Sequence, residues 1–238
     1  MKMLRTIFTL RTMRVMRFLQ TTAILLLGMA MLAAGTTATA LTLVSAASRK
    51  PHGTAGTYDL PINTSGTFNN SISIEPRHIG AGHLIVFTFD EAVAAPGTVS
   101  VVDAVGATIG NVAAPVVSGM TGNEVLVAIA DVPDRRGIKV TLTGVTGNSG
   151  SISASVSLGF LIGSFSDSPL VSAQDLRACR ARAGFAANAS SFRYDVTGSG
   201  LVSAADIATT KRRVGLSLAT SALPMSWSGG GWDLDTWQ

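Results

Sequence analysis

Residues 163–184 repeat in residues 194–215 at a constant offset of 31 positions, and no other feature of the chain restricts its fold as tightly. The offset lays Leu170-Val171-Ser172-Ala173 on Leu201-Val202-Ser203-Ala204, Asp175 on Asp206, and Arg182-Ala183-Gly184 on Arg213-Val214-Gly215. A repeat of this length reads as two copies of one small unit that bury their apolar sides on each other. Each copy orders a loop before a helix. Ser172 with Asp175, and Ser203 with Asp206, are Ser-x-x-acid starts, whose hydroxyl and carboxylate satisfy the free amides of a first helical turn. The spacing predicts helices that run to Gly184 and Gly215, which suit left-handed caps. Leu176, Cys179 and Ala183, like Ile207, Thr210 and Val214, fall on one helical face.

The loops ahead of these helices have the spacing of a cation site. A calcium loop of about twelve residues takes oxygens at positions 1, 3, 5, 7 and 12 and turns on a Gly at 6. In the second copy these positions hold Asp195, Thr197, Ser199, Leu201 (through its carbonyl) and Asp206, with Gly200 at 6. Only two of the ligands are charged, so the attraction to a divalent ion is reduced and a dissociation constant of about 0.1–1 mM is expected. The first copy is degenerate. Its ligands would be Ser164, Ser166, Ser168, Leu170 and Asp175, with Pro169 where the turn needs Gly. For either loop the alternative is a turn held by hydroxyl and backbone hydrogen bonds alone.

The rest of the chain is patterned quite differently. Lys2, Arg5, Arg11, Arg14 and Arg17 precede an apolar run over residues 18–34, and small residues follow. This reads as an export signal over residues 1–40, cut after Ala38-Thr39-Ala40, with Val44-Ser45-Ala46 as a later site. The alternative is an uncleaved anchor, the only membrane contact the chain suggests. Without those five cations, 13 basic residues stand against 14 acidic ones, so the overall charge of +4 carries no case for nucleic acid. Residues 41–56 read as a linker. From 57 to 161, alternating runs such as His83–Phe89 and Glu124-Val125-Leu126-Val127 predict six or seven strands, broken by turns such as Gly147-Asn148-Ser149-Gly150. That pattern gives an antiparallel sandwich of about 100 residues.

On these residues, the segment 162–218 resembles a type I dockerin domain. The motif is carried by Tyr194-Asp195-Val196-Thr197-Gly198-Ser199-Gly200, by Val202-Ser203-Ala204-Ala205-Asp206, and by their counterparts 31 residues earlier. The resemblance implies calcium-binding loop-helix halves that dock a cohesin-like protein module, often anchoring secreted polysaccharide-degrading enzymes. It carries the calcium ligands onto the residues named above, and the partner-contacting positions onto Ala173 and Gln174, and Ala204 and Ala205. The β-rich part more loosely resembles an immunoglobulin-like module of bacterial surface proteins. The expected fold is therefore mixed: an all-β immunoglobulin-like sandwich, then a small all-α dockerin-like pair.

Little else in the chain suggests chemistry. A lone Cys179 supports neither a disulfide nor a zinc site and reads as a small buried helix residue. His78 and His83 read as a solvated loop residue and a strand-edge residue, and no nucleophile elbow accompanies them. The basic residues Arg177, Arg180, Arg182, Lys211, Arg212 and Arg213 read as a solvated face near helix ends. A tail over 219–238 spaces Trp227, Trp232 and Trp237 five apart, matching neither a helix face nor a strand side. The expectation is a noncatalytic secreted or cell-surface module that docks a protein. The alternative is an accessory of extracellular polysaccharide breakdown that binds a glycan.

Overall fold

A computed structural model describes residues 40–78 and 80–219; the predicted export signal and the Trp-containing tail lie outside them. Among the described residues, eleven strands precede two α-helices. In chain order the strands are β1 (Leu43–Pro51), β2 (Thr57–Ile62), β3 (Ser73–Glu75), β4 (His83–Phe89), β5 (Val93–Ala95), β6 (Thr98–Asp103), β7 (Asn111–Val112), β8 (Val116–Ser118), β9 (Glu124–Ala130), β10 (Arg136–Gly147) and β11 (Gly150–Phe160). The helices are α1 (Ala173–Arg180) and α2 (Ala204–Lys211). One sheet runs β2-β1-β4-β9-β7 with β8 also on β9, and the other runs β3-β11-β10-β5 with β6 also on β10.

Alternation decides which side chains enter the core. Ile85, Phe87 and Phe89 of β4, and Val125, Val127 and Ile129 of β9, all turn inward. They meet Ile138, Val140 and Leu142 of β10 and Val156, Leu158 and Phe160 of β11 in one apolar cluster drawn from both sheets. The β10–β11 hairpin turns at Asn148-Ser149, with Gly147 opposite Gly150, where the sequence placed a turn.

Two expectations need correction. Residues 41–56 are not a linker: Leu43–Pro51 is a nine-residue strand paired on both sides, with β2 and with β4. Its small residues, Ala46 and Ser48, are the inward, buried ones, so the strand gives no strong hydrophobic signal. Nor are the sheets wholly antiparallel, because β3 lies parallel to the end of β11 through Leu158 to Phe160. A long connection from β2 across to the second sheet lets β3 arrive in that direction.

Both helices carry the expected capping boxes. Ser172 Oγ accepts from Asp175 N while Asp175 accepts from Ser172 N at 2.8 Å, and Asp206 accepts from Ser203 N at 2.8 Å. The helices stop at Arg180 and Lys211, one turn before the predicted glycines. There the amides of Arg182 and Arg213 reach back only three residues and tighten the chain. Gly184 and Gly215 follow at φ +86° and +89° and lead the chain away from the helix.

The two copies then pair reciprocally. Gly184 N donates to Val202 O at 2.8 Å, and Gly215 N donates to Val171 O at 2.8 Å. Val202 N donates to Phe185 O and Val171 N to Leu216 O, both at 2.9 Å; Ala187 N to Gly200 O is matched by Leu218 N to Pro169 O. Every bond maps onto its mate by the 31-residue offset, so each half completes the other's backbone. Ile162, Phe165, Cys179, Val196 and Val202 pack beneath one side, while Val171 and Leu218 join Ile74 of β3 and Leu161 under the other. The described residues cluster as one unit. No helix among the described residues is long and apolar enough to cross a membrane.

Reciprocity has a measurable consequence. Val202→Pro deletes an amide that the other half accepts and should cost about 3 kcal/mol or more. Both helices should then melt in one step by far-UV circular dichroism; retention of half the helical signal would show that the halves stand independently.

Candidate cation loop

The second loop brings its five predicted oxygens together. Asp195 follows a single turn at Phe192–Tyr194 and is fully buried; Asp206 is held by its place in the first turn of α2. From Leu201 O the chain of contacts runs to Ser199 Oγ at 3.0 Å, to Asp195 Oδ1 at 3.3 Å, to Thr197 Oγ1 at 3.3 Å and to Asp206 Oδ1 at 2.9 Å. Two oxygens about 2.4 Å from one calcium ion and 75–90° apart lie roughly 3–3.4 Å from each other, so the spacing suits a coordination shell. The set has two carboxylates, two hydroxyls and one carbonyl. These residues fit a hard cation held weakly. Among the described residues no group of three or more His, Cys, Asp or Glu could hold a metal ion, and this set has only two carboxylates.

Both carboxylates are already held by amides: Asp195 Oδ1 accepts from Ser199 N at 3.0 Å and Asp206 Oδ1 from Thr197 N at 2.9 Å. Asp206 Oδ2 accepts from Ser203 N and Oγ, both at 2.8 Å, and Asp195 Oδ2 accepts from Gly200 N at 2.7 Å. Burial opposes the charge on Asp195, but a hydrogen bond from His52 and the amides of Gly200 and Ser199 outweigh it, holding the carboxyl below the usual range.

The first loop closes without a cation. Ser164 Oγ donates to Ser168 O at 2.7 Å, and Ser166 Oγ lies 3.3 Å from Asp175 Oδ1. Asp175 also accepts from Phe165 N and from Ser172 N and Oγ, while Ser168 Oγ accepts from Leu170 N. With a hydroxyl at position 1 and a single carboxylate, this set does not fit a divalent ion. Ala173, Gln174, Ala204 and Ala205 are exposed at the helix starts.

Residues that the sequence gave no reason to select surround the second loop. His52, in the turn after β1, places Nδ1 2.8 Å from Asp195 Oδ2, with both side chains fully buried. Its Nε2 faces Arg77 Nη1 at 3.3 Å. Arg77 grips Glu75 through Nε and Nη2, each at 2.7 Å, and donates to the carbonyls of Ser48 and Tyr58. Tyr58 stacks on Phe192 at 5.3 Å, and His78 N donates to Val196 O. A Cβ on Gly53 would lie 2.4 Å from Ser199 O, so only glycine admits this approach of the sheet's turn to the loop.

His83 is likewise not a plain strand-edge residue. It is buried, with Nδ1 3.1 Å from Ser48 Oγ and 3.4 Å from Glu75 Oε2. Ser, His and Glu are thus adjacent, but both partners face the same ring nitrogen, and Nε2 has none. A nucleophilic triad needs the serine and the acid on opposite nitrogens, so this trio cannot relay a proton. His78 is exposed and accepts from Gly80 N. Burial pushes the Cys179 thiol up to about 11, which makes it an inert packing residue. Of the basic residues, Arg177, Arg180, Lys211 and Arg212 are exposed. The repeat mates Arg182 and Arg213 instead cover Tyr194 and pair with Asp134.

No protein-family model matches the chain, and no curated protein is significantly similar to it. The reading of the loops therefore rests on their own geometry.

The buried charges set a pH dependence. Burial disfavours the charged form of Glu75, yet Arg77 and then His83 hold its carboxyl well below the usual range; burial lowers the His83 imidazole. Glu75 and Asp195 stabilise fully above the unfolded carboxylate value of about 4, and that stability is lost as pH falls through their lower folded values. His83 is protonated more readily when unfolded, so stability also declines below about pH 6.5. The melting temperature should stay level from pH 8 to 7, fall from about 6.5, and fall steeply below 4. A scanning calorimetry profile flat down to pH 4 would contradict this account of His83.

Proposed function

We propose that this chain is a noncatalytic exported module in which an immunoglobulin-like β-sandwich carries a dockerin-like loop-helix pair. The second loop binds calcium weakly through Asp195, Thr197, Ser199, Leu201 and Asp206, and the pair docks a cohesin-like module of another protein. The observation that carries this reading is the convergence of those five oxygens in a loop whose half pairs reciprocally with its repeat. The first half is the structural mate, closed by serine hydroxyls. Ala173, Gln174, Ala204 and Ala205 lie open at the helix starts, near exposed Leu170, Leu201 and Phe185, as a contact surface requires.

Export is supported by the cationic and apolar N-terminal pattern. Cleavage after Ala40 leaves β1 whole, whereas a cut after Ala46 would remove its pairing with Phe87 to Phe89. For the glycan alternative, the hollow of about 540 Å³ beside Arg49, Leu84 and Ala128 has no Trp, Tyr, Phe or carboxylate in its lining, whereas two smaller ones, of about 400 and 380 Å³, set Phe68 or Phe192 beside Asp167.

Calcium titration tests the proposal. The chain should bind with a dissociation constant of about 0.1–1 mM. Adding carboxylates by Thr197→Asp with Ser199→Asp should tighten binding roughly tenfold or more, and Asp206→Asn should weaken it. If the double variant gains no affinity, the loop is not a cation cradle.

A further inference from the structure

We infer that His52, supplied by the β-sheet part of the chain, is the positioning residue of the second loop: it fixes the Asp195 carboxylate so that Oδ1 alone faces the cation. The inference rests on the calcium reading above and adds to it a residue outside the repeat.

The geometry leaves His52 one role. Its ring is fully buried and lies edge-on between Tyr58 at 5.5 Å and Phe192 at 6.0 Å, which hold its plane. Arg77 can only donate, so His52 Nε2 accepts and the ring proton resides on Nδ1, assigned from the partners. Nδ1–H therefore donates to Asp195 Oδ2. That oxygen also takes Gly200 N at 2.7 Å, which fills its two lone-pair directions. Oδ1 accepts from Ser199 N at 3.0 Å and otherwise faces Thr197 Oγ1 and Ser199 Oγ, each at 3.3 Å.

A position-1 carboxylate that rotates freely spends its binding energy on ordering itself. One locked by an outer hydrogen bond does not, and loss of such a partner from a metal site typically costs about 10–100-fold in affinity. His52 is in turn aligned by Arg77 and Glu75, so the sheets and the cation loop share one line of hydrogen bonds. Linkage makes the effect mutual: an ion in the loop tightens the contact between loop and sheets.

The two nitrogens of His52 can be tested apart. Asn places an amide donor near the position of Nδ1, whereas Gln reaches the position of Nε2 and Arg77. Terbium luminescence sensitised by Tyr194, with displacement by calcium, reads affinity in the full chain. His52→Gln should weaken calcium about tenfold or more, while His52→Asn should retain most of the wild-type affinity. Thr42→Val, which removes a hydrogen bond to Asp90 outside the line from Glu75 to Asp195, should leave it unchanged. Equal affinity in the Gln variant and wild type, or an equal loss in Thr42→Val, would overturn the role of His52 while the calcium reading stands. A wild-type chain that takes up neither terbium nor calcium sinks the calcium reading itself.

Discussion

The line of buried hydrogen bonds from Glu75 through Arg77 and His52 to Asp195 holds the two parts of this chain in one arrangement. Ionised groups taken out of water are tolerated only where each finds partners. Here the partners come from β3, from the turn after β1 and from the second loop, so no segment can move away without stranding a charge. Apolar packing alone would not define the register of these segments so narrowly, since Val and Leu accept many neighbours. The close approach at Gly53 and the stacking of Tyr58 on Phe192 follow from that fixed register.

The duplicated unit obeys a related constraint. After each helix one glycine amide reaches across: Gly184 N and Gly215 N bond the carbonyls of Val202 and Val171 in the opposite copy. A single copy would expose those amides and the apolar faces of Phe165 and Val196 together. Duplication supplies both deficits with one sequence, which is why the offset of 31 residues persists through the bonds that join the halves.

Much of this was legible in the sequence, and the missing parts share a cause. Strands β4, β9, β10 and β11 advertise themselves by alternation, and the capping boxes by their Ser-x-x-Asp spacing. Strand β1 stays silent because its buried positions are Ala46, Ser48 and Lys50, of which only the small Ala46 is apolar. Short strands such as β7 and β8 have too few residues to show a period. The outline of the second loop could be drawn from spacing alone, whereas His52 could not. Its contact with Asp195 spans 143 residues, and a lone His after Pro51 carries no local pattern that separates it from a solvated turn.

The two loops differ for a reason visible in their surroundings. Position 1 of the second loop is buried against the sheets, where His52 and two amides keep a carboxylate ionised. Position 1 of the first loop is equally buried, but its neighbour is the carbonyl of Ser168. A carbonyl needs a donor, which Ser164 provides and a carboxylate could not. Burying an aspartate there would set two acceptors face to face, at a cost of several kcal/mol by the usual scale for unpaired buried charge. The asymmetry between the copies therefore reflects what each half faces: the copy that meets a histidine keeps its acid, and the copy that meets a carbonyl carries a hydroxyl. The first half therefore closes its turn through the Ser164 hydroxyl and the Ser168 carbonyl, with no charge to satisfy at position 1.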